Sequence, residues 1–122
     1  MFTISVETTF QASHRVGRPD GSPEPEHKHT WLATAAVRAE RLDSNGFAID
    51  FDFLKKLLDE IVGAFDQGEI GQIEYFKGVG PSAENVARYI YEQLEPRLPR
   101  KVRLEYVEVD EQAGCRARFY KS

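Results

Sequence analysis

The spacing of apolar residues changes twice along this chain, and these changes limit the folds that it can adopt. Residues 2–10 alternate apolar and polar side chains, as a half-buried strand does, and residues 30–42 keep an extended character. From Phe53 onward the apolar residues recur at intervals of three and four, which predicts a helix. A second helical stretch precedes residues 102–111 and 115–120, which return to strand character around a short turn. The predicted element order is β-β-α-α-β-β.

Both predicted helices have residues suited to capping their first turn. Asp50 or Asp52 can cap the first helix and Ser82 can cap the second, because a side-chain oxygen there accepts an otherwise unpaired backbone N–H. Pro96 and Pro99 end the second helix. Capping therefore accounts for these polar residues without any ligand.

Four strands and two helices without a repeat or a linker predict one α+β domain over residues 1–122. We expect a four-stranded antiparallel sheet with both helices on one face, in a chain long enough to bury a core. The other face and the edge strands lack cover, which favours a homo-oligomer. A monomer with a polar outer face is the alternative.

The composition narrows the classes of partner. The formal net charge is −4, with 20 acidic and 16 basic residues, and no cluster of Lys or Arg stands out in the sequence. This argues against a nucleic-acid or membrane-surface binder and favours a small-molecule ligand. The single cysteine, Cys115, excludes an intrachain disulfide, and no stretch looks like a signal peptide or a membrane span. The expected location is cytoplasmic.

The chain has three histidines, and their spacing is the clearest chemical signal. His27 and His29 would point to the same side of a strand, and His14 ends the preceding extended stretch. Neutral imidazole is the commonest metal ligand, and three of them leave one tetrahedral position open, as in catalytic zinc sites. The predicted cofactor is Zn²⁺, bound by these three side chains.

Several stretches resemble the 6-pyruvoyltetrahydropterin synthase and 6-carboxytetrahydropterin synthase family, which has the tunnelling fold, or T-fold. The resemblance covers nearly the whole chain, and its strength lies in the order and spacing of its pieces. They are Phe10-x-Ala12-x-His14-Arg15, His27-x-His29, the segment 46–55, the segment 82–90, and Val107-x-Val109-x-Glu111.

The resemblance implies a zinc-dependent lyase that acts on the side chain of dihydroneopterin triphosphate. The three histidines would bind the zinc, which would polarise the hydroxyl groups of that side chain. Glu111 would bind the substrate by accepting hydrogen bonds from the pterin ring N3–H and 2-amino group. The assembly would be a barrel-like oligomer, a trimer or a hexamer of stacked trimers, with the active sites between subunits.

Two departures from the family pattern affect the proton-transfer groups. The cysteine that usually precedes the first histidine of the His-x-His pair is missing, and Cys115 does not match its position. In Phe65-Asp66-Gln67, Gln67 replaces the family's histidine and cannot shuttle a proton at neutral pH. Asp66 remains as a catalytic candidate.

A glutamate is the best replacement for the missing cysteine. Glu24 lies three residues before His27, and Glu-x-x-His-x-His resembles a family variant that cleaves the dihydroneopterin side chain. Glu26 is a rival for the role of base, and a solvated acidic loop is the alternative for both. Lys28 stands where the family usually has glycine and alternates away from the imidazoles.

Three functions follow from these residues. The first is a zinc-dependent pterin side-chain lyase that forms a 6-pyruvoyl- or 6-carboxytetrahydropterin or releases a side-chain fragment. The second is a protein that binds a pterin-like or purine-like ligand without catalysis. The third is a T-fold enzyme with a different pterin-like substrate. Related enzymes serve queuosine, tetrahydrobiopterin and folate pathways, and the sequence does not choose among these.

Overall fold

Two long antiparallel strands form the centre of the fold and bring their far ends together. In this computed structural model, which describes residues 1–22 and 24–122, β1 pairs with β2 from Phe2 opposite Ala39 to His14 opposite His27. The elements, in chain order, are β1 Phe2–His14, β2 His27–Ala39, α1 Phe51–Val62, β3 Gly68–Glu69, α2 Glu74–Lys77, α3 Ala83–Leu94, β4 Arg103–Gln112 and β5 Cys115–Phe119, with 3₁₀ turns at Ile70–Gln72 and Glu95–Arg97.

The α+β class, the two long helices and the four antiparallel strands agree with the prediction. The sheet order is β3-β1-β2-β4-β5, so the four predicted strands lie side by side. One addition is the two-residue β3, which runs parallel to β1 with Gly68 opposite Ala12. The backbone of Gln11 holds this segment, since its N–H donates to Asp66 and its carbonyl accepts from the N–H of Gln67. The prediction of only four strands and two helices was therefore incomplete, because β3 and the four-residue α2 carry no periodic signal.

The second strand begins earlier than the sequence pattern indicated. It starts at His27 rather than at residue 30, so both of its histidines are strand residues. His27, His29 and Trp31 alternate onto one face, and Trp31 is fully buried there. The histidines therefore lie on the face that the helices cover.

The core lies between that sheet face and the helices α1 and α3. Helix α1 contacts β1, and α3 contacts β4, β5 and α1. Phe10, Trp31 and Phe65 stack at ring-centroid distances of 5.8 and 5.3 Å, and the Trp31 indole N–H donates to the carbonyl of Ala12. Burial of each such ring contributes about 1.5–3 kcal/mol. This packing fixes the end of the sheet next to the histidines.

The predicted caps are present at both long helices. The carboxylate of Asp50 accepts the N–H of Asp52 at 2.8 Å, and the hydroxyl of Ser82 accepts the N–H of Asn85 at 3.2 Å. Asp50 is thus the cap of α1, and Asp52 lies in its first turn. Among the residues that the structure describes, no helix is long and apolar enough to cross a membrane.

Candidate metal centre

Four side chains from three strands meet at one end of the sheet. His14 is the last residue of β1, His27 and His29 open β2, and Glu111 lies near the end of β4. Each offers one ligand atom, and these four atoms all lie within 4.8 Å of one another. The structure thus brings together the three histidines and the glutamate that the sequence singled out.

The imidazole of His14 is fixed by a backbone carbonyl. It is 1% exposed, and its Nδ1 lies 2.8 Å from the carbonyl oxygen of Pro81. A carbonyl can only accept, so Nδ1 carries the proton and donates it. In the neutral ring, Nε2 then carries the free lone pair and faces the cluster, which is how metal-binding histidines are usually oriented.

The turn that carries Pro81 is itself held by α3. The side-chain amide of Asn85 donates to the carbonyl oxygens of Val79 at 2.9 Å and of Gly80 at 3.2 Å. Gly80 has a φ of 88°, a conformation that other residues adopt at a cost. Asn85 therefore fixes the segment that orients His14.

His27 has the same orientation as His14. Its Nδ1 lies 3.2 Å from the carbonyl oxygen of Pro25, which again directs Nε2 toward the cluster. The Nε2 atoms of His27 and His14 are only 2.7 Å apart, and a carboxylate oxygen of Glu111 also lies 2.7 Å from Nε2 of His14. In the neutral tautomers none of these three atoms carries a proton. Lone pairs therefore converge here, which is the arrangement of ligand atoms around a bound cation.

The surroundings of His29 favour a metal ion over a shared proton as the cation between these groups. Its Nε2 is buried and has no hydrogen-bond partner among the described residues. Burial, with the nearby His27, lowers the pKa of His29 and favours the neutral, metal-binding form of the ring. A proton shared by His14 and its neighbours would leave this nitrogen without a partner, whereas one divalent ion would satisfy all three imidazoles. Three imidazoles and a carboxylate are a donor set that suits zinc and other first-row divalent ions.

The two candidate bases lie in different surroundings. A carboxylate oxygen of Glu24 accepts the N–H of Val16 at 3.3 Å and lies 3.6 Å from Nδ1 of His27. Glu26 is exposed, and its nearest cationic partner is Arg15 at 4.0 Å. The structure therefore places Glu24, and not Glu26, beside a residue of the cluster.

Asp66 is engaged with the backbone of β1. Its carboxylate accepts the N–H of Gln11 at 2.9 Å, at the sheet edge where β3 begins. Gln67 has a φ of 63°, and its side-chain oxygen accepts from the Lys28 ammonium at 3.3 Å. Lys28 alternates with the two histidines along β2 and so lies on the opposite sheet face from the imidazoles, as predicted. Cys115 is exposed at the start of β5.

Two features of this site were not predicted from the sequence. The first is the position of the Glu111 carboxylate among the ligand atoms. Val107, Val109 and Glu111 are every second residue of β4 and so share one sheet face, on which both valines are fully buried. That signal was present in the sequence and could have been used. The contact between His14 and Pro81 had no such signal in the sequence, because the two residues are 67 positions apart. The contacts by which Asn85 holds the turn before Pro81 were not predicted either.

Comparison with known proteins identifies the family of this chain. The 6-pyruvoyl tetrahydropterin synthase family model matches residues 3–122. A 6-carboxy-5,6,7,8-tetrahydropterin synthase of Rickettsia conorii is 30% identical over 115 residues, covering 80% of this chain and 83% of the relative. A dihydroneopterin monophosphate aldolase of Pyrococcus furiosus is 30% identical over 102 residues, covering 84% and 82%.

A solved structure shows the same fold. The Caenorhabditis elegans 6-pyruvoyl tetrahydropterin synthase aligns with a TM-score of 0.84 and 22% identity, and the alignment covers 99% of this chain and 96% of that one. The resemblance and the T-fold architecture predicted from the motifs are confirmed. This chain belongs to the 6-pyruvoyl tetrahydropterin synthase family.

Proposed function

We propose that this protein is a zinc-dependent lyase that acts on the side chain of a phosphorylated dihydroneopterin. The observation that supports this most directly is that ligand nitrogens of His14, His27 and His29 lie within 4.8 Å of one another, and that Nε2 of His29 has no hydrogen-bond partner in the described residues. The family relatives named above are enzymes of pterin chemistry, which supports the same class of substrate.

The three histidines would hold the zinc ion. Their orientation supports this, because backbone carbonyls fix the rings of His14 and His27 with Nε2 directed inward. Bound zinc would supply Lewis acidity to the hydroxyl groups of the substrate side chain.

Glu111 is the proposed pterin-binding residue. A carboxylate matches the ring N3–H and the 2-amino group with two parallel hydrogen bonds. The side chain is 25% exposed and so remains accessible to a ligand from the open side of the cluster. In the absence of substrate the same carboxylate lies beside the proposed zinc position, where the positive charge of the ion would compensate its own.

Glu24 is the proposed base. A carboxylate beside His27 could take a proton from a side-chain hydroxyl, which starts carbon–carbon cleavage, or from a side-chain carbon, which starts the synthase route. Glu26, which extends toward Arg15, is the weaker candidate. Asp66 has lost the histidine that it would orient in the family pattern, and we propose that it acts only indirectly, by fixing the edge of β1.

Substrate conversion is the direct test of this function. Zinc-loaded protein is incubated with dihydroneopterin triphosphate and, separately, with the monophosphate, and the products are identified by mass spectrometry. We expect loss of a side-chain fragment or formation of a 6-substituted tetrahydropterin. Tight pterin binding without turnover would instead assign the chain to the ligand-binding alternative. Neither binding nor turnover would indicate a different substrate.

The Asn85 contacts give a prediction about the metal itself. The change Asn85→Ala removes both donors that hold the turn before Pro81, and we expect zinc affinity to fall by about 10–100-fold, as for other changes behind a ligand. Zinc affinity is measured by competition with a chromogenic chelator. The control is Arg88→Ala on the exposed side of α3, which should leave the affinity unchanged. Equal affinities in the two variants would show that Asn85 does not position His14.

A further inference from the structure

A group of three arginines lies at the end of the sheet opposite the histidines. Arg38 is the next-to-last residue of β2, whereas His27 is its first. They are eleven positions apart on the extended strand, a distance of roughly 36 Å. Arg103 begins β4 beside Arg38, and Arg100 lies just before it. We call Arg38, Arg100 and Arg103 the arginine cluster.

Two members of the cluster face each other across the sheet. Arg38 is directly opposite Arg103 in the pairing of β2 with β4. Like charges at directly opposed positions of an antiparallel pair destabilise the sheet, because their Cβ atoms lie only about 4.5–5.5 Å apart. A bound anion would remove this repulsion.

The arginines of the cluster have no direct ion-pair partner among the described residues. Among the residues that the structure describes, no carboxylate oxygen lies within 4.0 Å of the guanidinium groups of Arg38, Arg100 or Arg103. Nearby cations differ in this respect, since Arg118 pairs with Glu108 at 3.0 Å and Lys121 pairs with Glu95 at 2.6 Å. Carboxylates also line the two clefts beside the cluster, Glu95 and Glu105 in the larger and Glu40 and Asp43 in the smaller, but in the part of the chain that the structure describes none of them pairs with its guanidinium groups.

Two clefts meet at these three residues. The larger, of about 800 Å³, and a second of about 490 Å³ are both lined by all three arginines. The larger cleft is also lined by Tyr106 and Tyr120. Its size admits a chain of phosphate groups, and the arginines stand along the boundary between the two clefts. Arg100 and Arg103 are only three positions apart in the chain, and the fold brings Arg38 to them from β2.

We propose that the arginine cluster is a binding site for an oligophosphate group. The planar guanidinium group has paired N–H donors that match phosphate oxygens, so three of them can hold successive phosphates with charge-assisted hydrogen bonds. The site is remote from the histidines and does not depend on the function proposed for them. Its ligand is either a free oligophosphate or the phosphate chain of a larger molecule.

The test measures binding of inorganic tripolyphosphate by calorimetry in a buffer with a chelator, so that metal loss affects every variant equally. We expect saturable binding to the wild type that weakens as salt is raised, because exposed charges are screened. Arg103→Gln should weaken binding at least about tenfold, and Arg38→Gln should act similarly. The control, Arg97→Gln, removes an arginine that pairs with Glu60 and should bind like the wild type.

The outcomes separate the possibilities. Equal affinity for tripolyphosphate and for ATP would show that the site recognises the phosphate chain alone. Tighter binding of ATP would show that its base also contacts the cleft lined by Tyr106 and Tyr120. No saturable binding to the wild type would overturn the proposal. An equal loss in Arg97→Gln and Arg103→Gln would also overturn it, because only the net charge would then matter. Circular dichroism of each variant confirms that a loss of binding is not a loss of fold.

Discussion

Replacing His29 with alanine should abolish tight binding of zinc. The variant removes one of three imidazoles whose free nitrogens converge, and it is the one whose Nε2 has no partner within the described part of the protein. Removing a ligand should cost more than the roughly 10–100-fold that changes behind a ligand produce. Because Glu111 is assigned to the pterin, only two imidazoles would remain as ligands, one fewer than the three protein ligands of catalytic zinc sites.

Thermal unfolding measures this loss without any substrate. A ligand that binds only the folded state, at about 100 times its dissociation constant, stabilises that state by roughly 2.7 kcal/mol, which corresponds to a rise in melting temperature on the order of 10 °C. We expect this rise in the wild type and none in His29→Ala. Lys28→Ala is the matched control, because Lys28 lies between the two β2 histidines but contacts Gln67 on the other sheet face. A wild type whose melting temperature does not respond to zinc would refute the metal site.

The same experiment has a defined dependence on pH. Imidazole binds a metal only when it is unprotonated, so zinc-induced stabilisation should decline as the pH falls toward and below about 6.5. The pKa of His29 is lowered, mainly by burial, so this ring stays neutral to a lower pH than an exposed histidine. Protonation of His29 would therefore contribute to the loss of zinc only at the acidic end of the titration.

The long elements of the fold were predictable because each has a repeating physical signal. Strand β1 alternates, α1 repeats every three to four residues, and Asp50 and Ser82 mark the helix starts. Segment β3 was missed because two residues cannot show a period, and because its position depends on hydrogen bonds with Gln11. Sequence periodicity thus predicts elements that bury a regular apolar face. It misses short segments whose position depends on hydrogen bonds to residues far away in the chain.

The candidate site divides in the same way. The proximity of His27 and His29 was predictable, because residues two positions apart in a strand lie on the same sheet face. The face on which Glu111 lies follows from the same alternation in β4. The contact of His14 with Pro81 was not readable, since it forms only when α3 packs on the sheet. The arginine cluster is a further example, because the pairing of Arg38 with Arg103 depends on the register of β2 against β4.

Replacing Glu24 with glutamine should abolish turnover while leaving the metal in place. Glutamine keeps the size of the side chain and can still contact the backbone at Val16, but it cannot take a proton. Loss of a general base lowers kcat by about 10²–10⁴-fold. Glu26→Gln is the matched control, because Glu26 is exposed near Arg15, and its kcat should stay within about twofold of the wild type.

Because Glu24 contacts His27, a loss of turnover in Glu24→Gln could also arise from a misplaced zinc ligand. The same variant distinguishes this role from that of a base. If the carboxylate served only to orient His27, Glu24→Gln would lower zinc affinity by about 10–100-fold, and saturating zinc would restore kcat. A base, by contrast, leaves zinc affinity nearly unchanged, and no concentration of zinc restores turnover. Zinc content and kcat are therefore measured on the same preparation at rising zinc concentration. Recovery of kcat with zinc would rule out Glu24 as the base, whereas a low kcat in fully loaded protein requires that its carboxylate act on the substrate.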